Sequence, residues 1–171
     1  MEKRIIIAGS GGQGVLFLGK LIAHTAMAEG KEVTWFPSYG AEMRGGTANC
    51  TVIISEQMIG SPVIHNADIL IVMNEASLKK FASRLLPGGL LIYDSSRINE
   101  FNLQDDITIK AVPATYAATS QNDTKSANMV IMGAFMALSG LFQIISLKDA
   151  LMEATPIHRK KTIDNNISLI K

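Results

Sequence analysis

Charge is scarce in this sequence. Only 18% of its 171 residues are Asp, Glu, Lys or Arg, where globular chains carry about 25%. A surface so short of charge fits a protein part of which faces another subunit. Lys and Arg number 16 against 15 Asp and Glu, a net charge of +1. That balance gives no field for nucleic acid or for an anionic membrane, so neither is an expected partner. Cysteine is nearly absent. Cys50 stands alone, which excludes an internal disulfide, a thiolate cage for an iron–sulfur cluster and a cysteine-rich zinc site. The three histidines, His24, His65 and His158, are scattered, so no metal-ligand spacing and no Ser-His-Asp set is formed. No secretory signal is visible, because the first apolar stretch begins at Ile5 and glycines interrupt it. The expected location is the cytoplasm.

One stretch has no charge at all: the 22 residues between Lys125 and Lys148, "SANMVIMGAFMALSGLFQIISL". Its length alone would admit a membrane span. Asn128, Ser139–Gly140, Gln143 and Ser146 interrupt it, and neither an aromatic belt nor a positive cluster marks its ends. It reads as a buried helix packed between a sheet and another layer.

What is present is an alternation of strand and helix. Arg4–Ala8 is a β-branched run ended by Gly9, as in a buried parallel strand. Val15, Leu18, Ile22 and Ala26 then recur at helical spacing, and Gly30 is placed to stop that helix. "EVTWF" (Glu32–Phe36) reads as a strand closed by Pro37, and "ANCTVIIS" (Ala48–Ser55) as another, with "MIGSPVI" as its hairpin partner. "ADILIVM" (Ala67–Met73), "LLIYD" (Leu90–Asp94) and "ITIKAVPAT" (Ile107–Thr115) are further strands. Met73–Asn74–Glu75 reads as a strand end and helix approach before Ser77, with contact residues as the alternative. Ser77 is placed to cap "LKKFASRLL", which Pro87–Gly88–Gly89 would terminate. After the uncharged segment, Ser146 and Asp149 suggest a capping pair, and "KKTIDNNISLIK" a last helix. With no repeat and no linker, residues 1–171 are expected to form one domain. Its fold class is α/β: a Rossmann-like open, mostly parallel sheet with helices on both faces and a β-hairpin insertion.

The turn "GSGGQG" carries Gly9, Gly11, Gly12, Gln13 and Gly14 between a strand and a helix. Without a Cβ, backbone amides at a helix N-terminus can approach a phosphate. The same glycines would also serve a close helix–strand contact. A nicotinamide or flavin dinucleotide needs an acidic residue at the end of the second strand. That strand ends Trp35, Phe36, Pro37, with no carboxylate and no NADP-type arginine. A P-loop is excluded too, since no Lys-Ser or Lys-Thr follows the glycines. A second loop, "PSYGAEMRGGT", holds Tyr39, Gly40, Glu42, Arg44, Gly45 and Gly46. Arg44 can fork onto a carboxylate or phosphate. An exposed Arg–Glu pair would serve equally as a surface feature. Both loops should lie at the carboxyl edge of the sheet, where such folds meet their ligands.

Taken in order, "GSGGQGV", "PSYGAEMRGGTANCTVIIS", Ser61–Pro62, Ala67–Asp68, "LLPGGLLIYDSS" and "SANMVIMGA" resemble the gamma subunit of 2-oxoacid:ferredoxin oxidoreductases over roughly Ile5 to Leu141. The 2-oxoglutarate and branched-chain enzymes look nearest. The resemblance implies oxidative decarboxylation of a 2-oxoacid with coenzyme A, giving acyl-CoA, CO2 and electrons for ferredoxin. It also implies alpha and beta subunits, and a ferredoxin-like delta subunit, as partners, with ferredoxin reached indirectly. Thiamine diphosphate, Mg2+ and iron–sulfur clusters would be held by those partners, since no G-D-G…N motif and no cysteine quartet occurs here. No catalytic residue and no metal ligand is expected in this chain. Gly9, Gly11, Gly12, Gln13, Gly14, Tyr39, Gly40, Glu42, Arg44, Gly45, Gly46 and Asn128 are the candidate binding residues. They would form a wall of a composite active site that receives coenzyme A, or an interface bonded only to protein. The sequence departs from the family pattern at its end, stopping at "NNISLIK" where a longer final helix is the rule. Two other readings stand beside this one: a stand-alone NAD(P)-binding enzyme and a phosphate-sensing regulatory domain.

Overall fold

The protein is described by a computed structural model covering residues 2–38, 47–99, 101–103, 106–155 and 163–170. Six strands form one sheet in the order β2-β3-β1-β4-β5-β6. They are β1 (Glu2–Ser10), β2 (Glu32–Ser38), β3 (Thr47–Ser55), β4 (Ala67–Val72), β5 (Leu85–Asp94) and β6 (Thr108–Val112). Among the described residues six α-helices accompany them, with a short 3-10 helix at Ala82–Arg84: α1 (Val15–Ala28), α2 (Glu75–Phe81), α3 (Ala114–Ser120), α4 (Ala127–Ser139), α5 (Ile144–Ala154) and α6 (Ile163–Ile170). β1, β4, β5 and β6 run parallel, and β3 lies antiparallel between β1 and β2. The α/β class with a mostly parallel sheet is therefore as the sequence implies.

β1 is central because its side chains are apolar on both faces. Ile5, Ile6, Ile7 and Ala8 are all fully buried, and each isoleucine so removed from water contributes about 1.5–3 kcal/mol. Ile5 and Ile7 join Cys50, Val52, Leu18, Ile22 and Phe135 in a large core beneath α1, α4, α5 and α6. Ile6 and Ala8 face the other way, toward Ile53, Leu70, Leu78 and Phe81, where α2 is the covering helix. Helices cover both faces, unevenly. The expected stripe on α1 is buried at all four positions, and Gly30, at φ +73°, ends it.

Several local readings are corrected. "MIGSPVI" forms no strand, so β3 has no hairpin partner there; it pairs instead with β2 and β1. Ile59 and Ile64 anchor that segment to the smaller core while Met58 and Val63 are exposed. β2 continues through Pro37, which an edge strand tolerates. Asn74, not Ser77, caps α2: its side chain accepts the Ser77 N–H at 2.7 Å. Pro87–Gly89 does not end a helix but forms a bulge in β5, where Ala67 to Ile69 on β4 matches Leu85 to Leu90. The uncharged segment is two helices. Gly140, at φ +61°, stops α4, and α5 begins at Ile144, just after Gln143, whose N–H donates to Glu29 at 2.7 Å. Ser146 and Asp149 thus lie inside α5 and cap nothing. Among the described residues no helix is long and apolar enough to cross a membrane.

Candidate functional site

The parallel strands end at one edge in Ser10, Val72, Asp94 and Val112, and β2 ends there at Ser38. α1, α2 and α3 begin at this edge, and the Asn128 amide at the head of α4 donates to Gly14 O at 3.3 Å. The first-turn N–H groups of a helix have no partner within the helix itself, and its start carries roughly half a positive charge. Asn128 thus meets the glycine turn, as expected if α4 starts at that edge.

The turn itself is held from below. Gly12 and Gly14 adopt φ of +88° and +74°, a region closed to most side chains. A Cβ on Gly14 would collide with the Asn128 amide. A Cβ on Gly9 would stand 2.7 Å from Gln13 Oε1 and 2.8 Å from Val15, so this glycine makes room inside the fold. Gly11 and Gly12, in contrast, have no atom within 4 Å of where a Cβ would be. Both are exposed, and among the described residues nothing accepts their N–H groups. Those two amides are the open part of the turn.

Gln13 folds inward. Its Oε1 accepts the Ser10 N–H at 2.6 Å and its Nε2 donates to Met73 O at 2.9 Å. Asn74 adds a second tie, donating from Nδ2 to Ser10 Oγ at 2.5 Å. Sequence reasoning passed over Asn74 as a strand end; an Asn three residues before Ser77 was the available signal for a cap. It also passed over Asp94. This carboxylate is fully buried and accepts from Ser96 N at 3.0 Å and from Thr115 N and Oγ1 at 3.3 and 2.5 Å. It fastens the start of α3 to β5.

Tyr39, Gly40, Glu42, Arg44, Gly45 and Gly46 lie outside the described residues. Their neighbours fix where that segment is attached. Ser38 pairs with Asn49, and Thr47 with Ser10, so both ends are rooted beside the glycine turn. The edge has no reactive thiol: burial pushes Cys50, beneath α1, up to about 12. Two ion pairs lie at the amino edge. Arg4 holds Asp68 through Nε at 3.1 Å and Nη2 at 3.3 Å, and Lys31 meets Glu56 at 3.0 Å. Partial burial pushes the Asp68 carboxyl up, but Arg4 more than reverses this and holds it below the ordinary carboxylate range. Two clefts of about 370 and 330 Å³ flank Leu85 with Leu103 and Arg4 with His65; no residue of the glycine turn lines either. Around the glycine turn the edge rests on backbone amides and the neutral side chains of Gln13 and Asn74, with the Asp94 carboxylate engaged in fastening α3, an arrangement suited to binding rather than bond breaking.

Together, a mostly parallel sheet, a glycine turn opening a helix and an acid-free end to β2 define a Rossmann-like binding domain without the dinucleotide residues. Residues 4–171 match the model of the family described as pyruvate ferredoxin/flavodoxin oxidoreductase, and the chain belongs to that family as a gamma-type chain of the 2-oxoacid:ferredoxin oxidoreductases. It is 37% identical to the ketoisovalerate oxidoreductase subunit VorA of Methanothermobacter marburgensis, over 99% of this chain but 35% of VorA. It therefore spans about a third of that relative. It is 34% identical to the 2-oxoglutarate synthase subunit KorC of the same organism, over 91% of this chain and 88% of KorC. The gamma subunit of a keto/oxoacid ferredoxin oxidoreductase from Geobacter sulfurreducens superposes with a TM-score of 0.83 at 25% identity, covering 98% of this chain and 95% of the other. A 2-oxoglutarate:ferredoxin oxidoreductase from Magnetococcus marinus, solved with 2-oxoglutarate, coenzyme A and succinyl-CoA bound, shares the fold with a TM-score of 0.89 at 23% identity, covering 99% of this chain and 30% of that one.

Proposed function

We propose that this chain is the gamma subunit of a cytoplasmic complex that converts a 2-oxoacid, coenzyme A and oxidised ferredoxin to acyl-CoA, CO2 and reduced ferredoxin. The proposed oxoacid is 2-oxoglutarate, supported by the KorC relatives, which match this chain over most of both lengths. Decarboxylation in such a complex draws on thiamine diphosphate with Mg2+, and electron transfer to ferredoxin on iron–sulfur clusters. The donors here do not suit those groups: among the described residues no cluster of three His, Cys, Asp or Glu could hold a metal ion. Alpha and beta subunits, with a ferredoxin-like delta subunit, are the proposed holders.

This chain would supply a wall of the shared active site. The observation that carries the reading is the exposed pair Gly11 and Gly12, whose amides are unbonded among the described residues, beside the roots of the Tyr39–Gly46 segment. Phosphate oxygens of coenzyme A would take those N–H groups, near the starts of α1 and α4. Arg44 would add a guanidinium fork, with Tyr39, Gly40, Glu42, Gly45 and Gly46 completing the wall. Gly9, Gly14 and Asn128 would shape the turn behind it. Arg44→Ala in the assembled complex tests this. A raised KM for coenzyme A with the complex intact supports the reading. Dissociation into separate chains would instead make the segment a protein interface. Turnover with 2-oxoisovalerate in preference to 2-oxoglutarate would replace the proposed substrate.

A further inference from the structure

We propose that Gln13 and Asn74 are positioning residues: two neutral amide side chains that hold the glycine turn in its ligand-receiving shape by tying it to the end of β4 and the start of α2. The inference rests on the reading that the turn receives coenzyme A phosphates.

The need for such a clamp follows from the turn's composition. Three of the five residues from Ser10 to Gly14 are glycine, the residue that loses most backbone freedom on ordering. A Cβ on Gly11 or Gly12 would meet nothing within 4 Å. The one backbone bond across the turn, Gln13 N–H to Ser10 O, is long at 3.2 Å. What holds the shape is the side chains. Gln13 runs under the turn and bridges Ser10 N–H to Met73 O at 2.6 and 2.9 Å. Asn74 links Ser10 Oγ to the Ser77 N–H at 2.5 and 2.7 Å. Its Nδ2 also lies 3.5 Å from Gln13 Oε1, so the two bridges stand side by side.

Amide chemistry is required at position 13. One end must accept an N–H and the other donate to a carbonyl, which a carboxylate or an ammonium group cannot do together. The same geometry explains Gly9. A Cβ there would occupy the space of Gln13 Oε1, so the first glycine of the motif serves the clamp, and the exposed pair serves the ligand. A turn held in place before binding loses less entropy when the ligand arrives.

The test uses the assembled complex with separate measurement of kcat, KM for coenzyme A and KM for the 2-oxoacid. Gly11→Val probes the underlying reading alone, because its side chain would enter open space at a φ outside the left-handed region. Gln13→Leu removes the clamp. The expected result is a KM for coenzyme A raised about tenfold by each, with the KM for the 2-oxoacid unmoved; for Gln13→Leu that is the effect of losing two hydrogen bonds. A rise with Gly11→Val but not with Gln13→Leu overturns the clamp and leaves the reading standing. No rise with either overturns the reading and the clamp with it. Equal loss in kcat and both KM values for Gln13→Leu marks a merely structural role and also overturns the proposal. Should Gln13→Leu prevent assembly, Ser10→Ala decides, since it removes only the Asn74 acceptor; a KM for coenzyme A raised about threefold is expected, and an unchanged value overturns the clamp.

Discussion

Replacing Gly14 with alanine strikes two constraints at once, and their separate sizes follow from the structure. The first is backbone. At φ +74° an L-residue with a Cβ is strained by about 1–2 kcal/mol. The second is the neighbour: the new methyl would collide with the Asn128 side chain. Asn128 must then swing away from Gly14 O, losing its 3.3 Å hydrogen bond, worth about 1 kcal/mol. Gly14 O keeps its other donor, Leu18 N–H at 2.9 Å, so no carbonyl is left unpaired. Gly14→Ala should therefore cost roughly 3 kcal/mol once a displaced rotamer is included, and Asn128→Ala about 1 kcal/mol. In the double variant the collision is gone. Only strain and the missing hydrogen bond remain, so its cost should fall short of the sum of the two single costs by about 1 kcal/mol. Urea unfolding, followed by the fluorescence of the sole tryptophan, Trp35, measures all three. Strict additivity, or a Gly14→Ala cost near zero, would refute the argument that Asn128 packs against the turn.

The other expectations concern both edges and the core. Cys50, raised to about 12 by burial, should resist thiol reagents at neutral pH and react on unfolding; rapid labelling of the folded chain would oppose this. Because its folded value is raised, the stability it contributes is whole below about pH 8.5, the ordinary thiol value, and is lost as pH climbs toward 12. Asp68 has the opposite sign. Its depressed value gives stability above about pH 4 that is lost on acidification through its folded-state value. Asp68→Asn should cost about 1 kcal/mol at neutral pH, and the difference from the parent chain should shrink in acid; an unchanged gap at pH 3 would count against the pair. The Arg44 and Gln13 variants described above complete the set, each read from the KM for coenzyme A.

Periodic apolar signals in one short window were sufficient. The apolar run of β1, the α1 stripe and its Gly30 stop are each contained in one short window, and each is found where expected. What failed was pairing. "MIGSPVI" has strand-like residues, yet β3 finds its neighbours in β1 and β2, a choice fixed by burial on both faces of the sheet rather than by nearness in the chain. Pro87–Gly89 shows a second kind of failure. The same three residues mark a helix stop or a strand bulge, and only the β4 register distinguishes them. At the site, the exposed pair Gly11–Gly12 and the Asn128 contact follow from motif and topology. The inward fold of Gln13 does not, because nothing in the spacing tells which side of a turn a side chain takes.

The two rims of the sheet are fastened differently. Two charged pairs, Arg4 with Asp68 and Lys31 with Glu56, lie where the parallel strands begin, while at the opposite rim the side-chain amides of Gln13 and Asn74 hold the glycine turn and the buried Asp94 carboxylate holds α3. An engineer seeking heat resistance can therefore work at the ionic rim, adding links between the first residues of the strands. Such reinforcement leaves the electrostatics of the other rim undisturbed, so durability and affinity can be tuned as independent variables.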